Sequence, residues 1–247
     1  GGMMSEVIEI RPQPKQELFL RSPADIAIFG GAAGGGKTWS LLVEPLRHLK
    51  NPEFGAVMFR RTITEITREG GPWSEAEKLY PLLGGMPNLN ERRFTFEKGA
   101  RVTFSHLQRE VDKYGWKSAQ VPLMLYDQLE TFTRSQFFYM LSRNRSTCGV
   151  RPYIRATANP EPGWLADFLD WWIAPDGYAD LSRAGKVRWM AVQDEKIVWS
   201  NSRAELEAAY PGIVVKSVTF IPSTIYDNAI LMERDPGYLG NLQAQEY

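Results

Sequence analysis

A glycine-rich segment between an apolar run and an amphipathic run constrains this chain more than any other feature. The apolar run 26–30 leads directly into Gly31-x-x-x-x-Gly36-Lys37-Thr38. This segment matches the phosphate-loop pattern G-x-x-x-x-G-K-[ST] in full, with a buried strand expected before it and a helix after it. In such a loop the backbone N–H groups surround a polyphosphate, the lysine reaches the β- and γ-phosphates, and the threonine hydroxyl faces Mg²⁺. A glycine-rich turn without a ligand is the alternative, but the Lys-Thr pair at this offset favours nucleotide binding.

Gln16, upstream of the loop, is a candidate for reading an adenine edge, because its amide both donates and accepts hydrogen bonds. A solvated linker glutamine is an equally good interpretation, since Pro12–Gln16 is typical of an extended lead-in. The expected nucleotide-binding residues are Gln16, Gly31, Ala32, Ala33, Gly34, Gly35, Gly36, Lys37 and Thr38.

An apolar strand that ends in an acid supplies the expected metal ligand. Residues 121–126 are apolar and Asp127 follows them. A carboxylate at the carboxyl end of a central parallel strand lies beside a phosphate loop, so we expect Asp127 and Thr38 to hold Mg²⁺. The alternative role for Asp127 is to cap the following helix.

Gln128 stands where ATPases with an inserted strand usually carry a catalytic Glu. Its amide can hydrogen-bond a water but cannot accept the proton of that water. Some phosphate-loop GTPases position water with Gln, and Glu130 is a further acid two residues along. We hypothesise that Gln128 is an engineered substitution that preserves nucleotide binding and stops turnover.

Strands and helices alternate after the loop, which predicts an α/β fold: a phosphate-loop NTPase of the strand-inserted (ASCE) type. We expect a mainly parallel sheet with helices on both faces and a small lid. Residues 92–105 alternate as a β-hairpin does. The expected divisions are 1–4 as a tag remnant, 5–173 as the ATPase core, 174–212 as a lid that leaves the sheet, and 213–247 as the last core strand and a C-terminal helix.

Composition narrows the surroundings of the protein. The chain has 247 residues, a formal net charge of zero and one cysteine, Cys148. A single cysteine cannot form an intramolecular disulfide, which favours a reducing compartment. The sequence contains neither a run long enough to span a membrane nor a signal-peptide pattern. Because the net charge is zero, contact with nucleic acid has to come from a local patch.

Several segments in order resemble the ATPase domain of the large terminases of tailed bacteriophages, the motors that pump DNA into a prohead. The segments that carry the resemblance are 14–20, Gly31–Thr38, Phe59–Thr62, Leu125–Phe132, Ser142–Ser146, Ala156–Trp164 and Phe220–Asn228. The match departs from the family at Gln128, where the family has Glu.

The resemblance implies ATP and Mg²⁺ as ligands and a homo-oligomeric ring on the prohead. It also implies double-stranded DNA, the portal protein and the small terminase subunit as partners, in the host cytoplasm at the portal vertex. Thr157 and Asn159 match the coupling motif. A cation from the neighbouring subunit would complete each site, and Lys117, Arg143 and Arg145 are the candidates; each of them is as well explained as a solvated surface cation. Full-length members carry a downstream nuclease, and nothing after Asn228 could supply one.

Three rival functions remain open from the sequence. A helicase-like or other ring ATPase would share the loop and Asp127 but should carry further helicase motifs. A non-hydrolysing nucleotide switch would carry Gln128 naturally. A small-molecule kinase would need an arginine-rich lid, whereas Arg183, Arg188 and Arg203 are scattered without a motif.

Overall fold

The computed structural model describes residues 12–31 and 36–223. Ten strands form one sheet. The strands are β1 Ile26–Gly30, β2 Gly55–Arg60, β3 Met86–Asn88, β4 Arg93–Thr95, β5 Arg101–His106, β6 Leu123–Tyr126, β7 Tyr153–Ala158, β8 Val187–Gln193, β9 Lys196–Ser200 and β10 Val214–Pro222. The α-helices are α1 Pro14–Leu20, α2 Lys37–Val43, α3 Ile63–Thr67, α4 Pro72–Leu79, α5 Arg134–Leu141, α6 Trp164–Phe168 and α7 Arg203–Ala209. Short 3₁₀ helices are Glu44–His48, Tyr80–Leu83, Glu110–Trp116, Leu129–Thr131 and Asp170–Trp172.

The strand order confirms the expected fold class. The sheet runs β3-β4-β5-β2-β6-β7-β1-β10-β8-β9. Its six central strands, β5-β2-β6-β7-β1-β10, are parallel to one another. Antiparallel strands extend both edges. The predicted hairpin is present as β4 and β5. Because β7 lies between β1 and β6, a strand is inserted between the phosphate-loop strand and the strand that ends at Asp127.

Alternate residues of β1 bury against opposite layers, which is why its sequence is apolar throughout. Ile26 and Ile28 belong to a core cluster that α5 and α6 complete. Ala27 and Phe29 belong to a second cluster with α1, α2 and α4. The sheet is therefore covered on both faces, as a parallel sheet requires.

The segment 174–212 does not leave the sheet as expected. β8 pairs with β10 from Val187↔Thr219 to Val192↔Val214, and β9 pairs with β8. The interpretation as an excursion is therefore wrong for β8 and β9, which extend the sheet beyond its last parallel strand. A hairpin added antiparallel at a sheet edge has the same local pattern as a separate hairpin, so the sequence could not distinguish the two. The division into a core and a lid stays a prediction.

The lead-in before β1 is helical, so the expectation of an extended Pro12–Gln16 is wrong. Pro14 is the first residue of α1, a position where proline is favoured because its fixed φ suits the helix and its missing N–H is not needed. The side-chain oxygen of Gln16 accepts the N–H of Gln13 at 2.8 Å, which closes the first turn. The predicted C-terminal helix 227–247 lies outside the described residues.

None of the helices within residues 12–31 and 36–223 has the length and apolar character that crossing a bilayer requires.

Candidate nucleotide and magnesium site

The phosphate-loop segment begins where β1 ends and closes where α2 begins. Gly31 has φ 131° and Gly36 has φ 69°, both in the region that favours glycine. A Cβ on Gly31 would lie 1.6 Å from the carbonyl oxygen of Ser223, so a side chain there would force the end of β10 away. Ala32, Ala33, Gly34 and Gly35 lie outside the described residues, and their phosphate contacts stay a prediction.

Two side chains bond to the backbone at the ends of this loop. The Lys37 ammonium donates to the carbonyl oxygen of Gly31, and the Gln16 amide donates to the carbonyl oxygen of Gly36 at 3.0 Å. Burial lowers the pKa of Lys37, against the opposing effect of the Glu130 and Asp127 carboxylates. Gln16 is 6% exposed, so it is not a solvated linker residue, and its contact with adenine stays a prediction.

Asp127 is the point where four elements meet. It follows β6 and is 3% exposed, and its carboxylate lies 3.1 and 3.3 Å from the Thr38 hydroxyl at the start of α2. Thr157 on β7 donates its hydroxyl to one carboxylate oxygen at 2.7 Å. Arg60 at the end of β2 donates to the other at 2.7 Å. The carboxylate is therefore held by neighbours on both sides of its own strand.

The oxygens of Asp127 and Thr38 fit a magnesium ion. Mg²⁺ prefers oxygen ligands and usually takes one or two carboxylates from the protein, with water and substrate phosphates completing its shell. Among residues 12–31 and 36–223, no group of three or more His, Cys, Asp or Glu side chains could hold a metal ion. A site with one carboxylate and one hydroxyl suits a metal that arrives with a polyphosphate.

Position 128 is fixed through its backbone. The N–H of Gln128 donates to the Thr157 hydroxyl at 3.0 Å, and Gln128 has φ 58° and ψ 64° in the left-handed region. Its side chain is exposed. This conformation turns the chain sharply after Asp127 and directs the residues that follow into a short 3₁₀ turn. The structure thus joins Gln128 and Thr157, both expected at the site, by one hydrogen bond.

Glu130 joins that turn to the loop after β7. Its carboxylate accepts the backbone N–H of Asn159 at 3.2 Å. Burial raises the pKa of Glu130, while its two backbone hydrogen bonds and the Lys37 ammonium act to lower it. Asn159 is therefore brought to the site by its backbone.

Comparison with known families identifies the chain. Residues 28–246 match the model of the family described as terminase large subunit, T4likevirus-type, N-terminal. That match covers most of the sequence. The chain belongs to this family. The resemblance found from the motifs is confirmed, and with it the DNA-packaging family of the protein. No curated protein matches the chain.

Solved structures of phage terminases share the fold of this terminase domain. The large terminase ATPase domain of Thermus phage P74-26 matches in a mutant form with a TM-score of 0.57 and 11% identity, covering 91% of this chain and 86% of that one. Another structure of the same domain matches with a TM-score of 0.54 and 10% identity, covering 91% and 85%. The large terminase of the thermophilic bacteriophage D6E matches with a TM-score of 0.50 and 16% identity over 66% of this chain. The match covers 44% of the length of the D6E protein.

The three candidate trans-acting cations of the terminase domain lie away from its own site. The Arg143 carbonyl oxygen accepts the N–H of Val121, near the amino end of β6, and the Arg143 guanidinium donates to the carbonyl oxygen of Lys117. Arg145 is exposed nearby. The four residues of β6 span about 13 Å at ~3.3 Å per residue, and Asp127 lies at the other end. These cations are not brought together with Asp127 of the same chain.

Two contacts at the site were not expected from the sequence. Arg60 was part of the family resemblance without a role, and it bonds to Asp127 and to Glu65, whose carboxylate is 3.1 Å away. Its position at the end of an apolar strand was the available signal, but the sequence did not show that β2 neighbours β6. Glu130 was considered only as a spare acid, and nothing in the sequence indicated its bond to Asn159.

Proposed function

We propose that the chain is the ATP-hydrolysing motor domain of a DNA-packaging terminase, which couples ATP binding and hydrolysis to movement of double-stranded DNA into a prohead. One observation carries the proposal: Thr38 from the end of the phosphate loop and Thr157 from the expected coupling strand converge on the Asp127 carboxylate. A nucleotide that reached Lys37 and Thr38 would lie beside a metal ligand and beside the segment expected to transmit its state.

The residues divide the work by position. The backbone of 31–36 and the Lys37 ammonium would bind the phosphates, and Asp127 and Thr38 would hold Mg²⁺. When bound, Mg²⁺ neutralises charge that develops on the phosphate oxygens. Thr157 orients Asp127 and the turn at 128 together, since its hydroxyl donates to the Asp127 carboxylate and accepts the N–H of Gln128.

The test of binding is calorimetry with ATP in the presence and absence of Mg²⁺. We expect Mg²⁺-dependent binding that Lys37→Ala weakens by about 100-fold, because two phosphates lose their contact with the half-buried ammonium. Lys50→Ala, at an exposed lysine beyond the same helix, is the matched control and should bind as the parent does. Unchanged affinity in Lys37→Ala would contradict the proposal.

With Gln at position 128, the side chain there cannot accept the proton of the attacking water. We propose that Gln128→Glu restores turnover, raising phosphate release by about 10²-fold or more, which is the usual contribution of a general base. Gln120→Glu makes the same change at an exposed position and should have no effect. Tight ATP binding without turnover in Gln128→Glu would favour the non-hydrolysing switch.

We further propose that Lys117, with Arg143 and Arg145 beside it, completes the site of a neighbouring subunit in a ring. The separation of these cations from Asp127 within one chain supports action in trans. In the Gln128→Glu background, mixing Lys117→Ala subunits with Asp127→Asn subunits should recover activity, because each supplies what the other lacks. Absence of recovery at concentrations where the parent assembles would contradict action in trans.

The partners follow from this motor role. Double-stranded DNA would be held through its phosphates, because a packaging motor has to be indifferent to sequence. The portal protein and the small terminase subunit would dock the ring at the portal vertex in the host cytoplasm. In the Gln128→Glu background, DNA-stimulated phosphate release should fall steeply as the salt concentration rises, since phosphate contacts weaken with ionic strength.

A further inference from the structure

The turn after β6 is held from both neighbouring strands and by a bond within the turn itself. The Thr131 hydroxyl donates to the carbonyl oxygen of Gln128 at 2.7 Å, and Arg61 donates to the carbonyl oxygen of Thr131 at 3.1 Å. The N–H of Gln128 is bonded to Thr157. These bonds leave Glu130 on a turn whose backbone is held at several points, so its carboxylate has a defined position.

The loop after β7 is attached to this turn at two points. Asn159 donates its backbone N–H to Glu130, and the Trp164 indole at the start of α6 donates to the carbonyl oxygen of Phe132 at 2.7 Å. Between them, Pro160 and Pro162 have no N–H to bond. The carboxylate of Glu130 is thus the attachment nearest the phosphate site, and the indole is the attachment nearest α6.

Lys37 and Glu130 bond to neighbouring stretches of backbone. The Lys37 ammonium donates to the carbonyl oxygen of Gly31, and the N–H of Gly31 donates at 3.0 Å to the carbonyl oxygen of Ala158, the residue before Asn159. Their opposite charges attract across this arrangement. A charged acceptor makes a stronger hydrogen bond than a neutral one. When a polyphosphate engages Lys37, it draws the ammonium to its own oxygens and brings negative charge towards Glu130. Both changes oppose the carboxylate in its present position, so they weaken its hold on Asn159.

We infer that Glu130 is a positioning residue which transmits phosphate occupancy from Lys37 to the backbone of Asn159, and so to α6. This inference rests on the proposed binding of ATP and gives its coupling a residue and a direction. With the phosphates absent the loop is held by Glu130; with them present the loop is released at Asn159 while Trp164 keeps α6 attached. Phe168 of α6 packs against Trp199 of β9, with ring centroids 5.2 Å apart, which extends the connection to the sheet edge.

Residue-resolved amide hydrogen exchange at Asn159 tests this inference. In the parent chain we expect exchange at Asn159 to become about tenfold faster when Mg²⁺–ATP binds, the change that loss of one charge-assisted hydrogen bond gives. Because residues 160 and 162 are prolines, only Asn159, Glu161 and Gly163 carry backbone N–H groups between residues 159 and 163. The exchange signal of Asn159 is therefore readily assigned. Calorimetry on the same samples establishes that ATP is bound.

Two variants separate the charge of Glu130 from its hydrogen bond. Glu130→Gln keeps an acceptor oxygen, so exchange should stay slow without ATP and should not respond to ATP. Glu130→Ala should exchange fast in both states. Neither variant should bind ATP more weakly than the parent, because binding no longer has to weaken a bond between the Glu130 carboxylate and Asn159. Glu97→Gln removes an exposed carboxylate in the turn between β4 and β5 and should behave as the parent does.

The outcomes distinguish this inference from the proposed function. If the parent binds ATP and exchange at Asn159 does not change, or if Glu130→Gln still responds fully, the inference is overturned and the proposed function stands. If the parent does not bind Mg²⁺–ATP, the proposed function and the inference fail together.

Discussion

Two buried aspartates, one before the amino end of a parallel strand and one after the carboxyl end of another, have similar surroundings but different kinds of partner. Asp127 at the carboxyl end of β6 and Asp25 before the amino end of β1 are 3% and 4% exposed. Asp25 accepts the N–H of Ser217 at 2.9 Å and pairs with Arg151 at 2.9 Å and Arg203 at 3.5 Å. Like Asp127, it thus combines a buried carboxylate with arginine partners.

The partners of the two aspartates differ in kind. The Asp25 carboxylate accepts from a backbone N–H of β10, and the N–H of Asp25 donates to the Ser217 hydroxyl at 2.8 Å. Asp25 thus links the start of β1 to β10, and no ligand is expected to replace these contacts. The N–H of Asp127 also bonds to a neighbouring strand, at the carbonyl oxygen of Phe59, but its carboxylate accepts from side chains, two hydroxyls and one guanidinium. In the proposed function, a metal would replace part of these contacts. Burial and charge pairing alone therefore do not identify a functional carboxylate. The proposed role of Asp127 is supported instead by its place at the carboxyl end of parallel strands, beside the phosphate loop.

The largest effect is expected at Asp25, the aspartate that links two strands. Asp25→Ala should lower the free energy of unfolding by about 3 kcal/mol, because the buried N–H of Ser217 loses its acceptor and two arginines lose their partner. ATP affinity of the folded variant should change less than twofold. Denaturant unfolding and calorimetry measure the two quantities. Asp170→Ala, at an exposed aspartate, is the control, and an equal loss there would remove the distinction.

The next largest effect is expected at Asp127, the proposed magnesium ligand. Asp127→Asn keeps the shape and most hydrogen bonds but loses the charge that Mg²⁺ requires, so the Mg²⁺-dependent part of ATP binding should fall by about 100-fold. Its free energy of unfolding should fall by less than that of Asp25→Ala, since Arg60 retains Glu65 as a partner. Calorimetry at varied Mg²⁺ gives the first quantity. A stability loss larger than that of Asp25→Ala would break the comparison.

The smallest effect is a pH dependence at the amino end of the sheet. His48 bonds to the Tyr153 hydroxyl at 2.8 Å, and burial lowers its pKa below 6.5. The unfolded chain therefore binds a proton at His48 before the folded chain does, so stability falls as pH drops below about 6.5. His48→Gln should lose less stability between pH 7 and pH 5 than the parent. Parallel unfolding profiles across this range would show that His48 does not contribute.

Much of the site was predictable because its residues stand in local patterns. The strands before Gly31 and Asp127 are apolar runs, and each is followed by the residue that its position requires. Thr157 lies near the end of a third strand, β7. The predictions were wrong where a local sequence pattern did not show how a segment contacts the rest of the fold. Pro14 was taken as a sign of extended chain but begins α1, and β8 and β9 were taken as a separate lid but continue the sheet.

The sequence by itself determined the phosphate-loop pattern, the α/β class and the family, since these depend on residue order and on periodicity along a few turns or strands. Only the tertiary structure decided that Arg60 bonds to Asp127, that Glu130 bonds to Asn159 and that Lys117 lies at the far end of β6. Periodicity reports which side of a strand is buried but not which strand lies beside it. Those contacts depend on the order β2-β6-β7-β1, which pairs segments far apart in the chain.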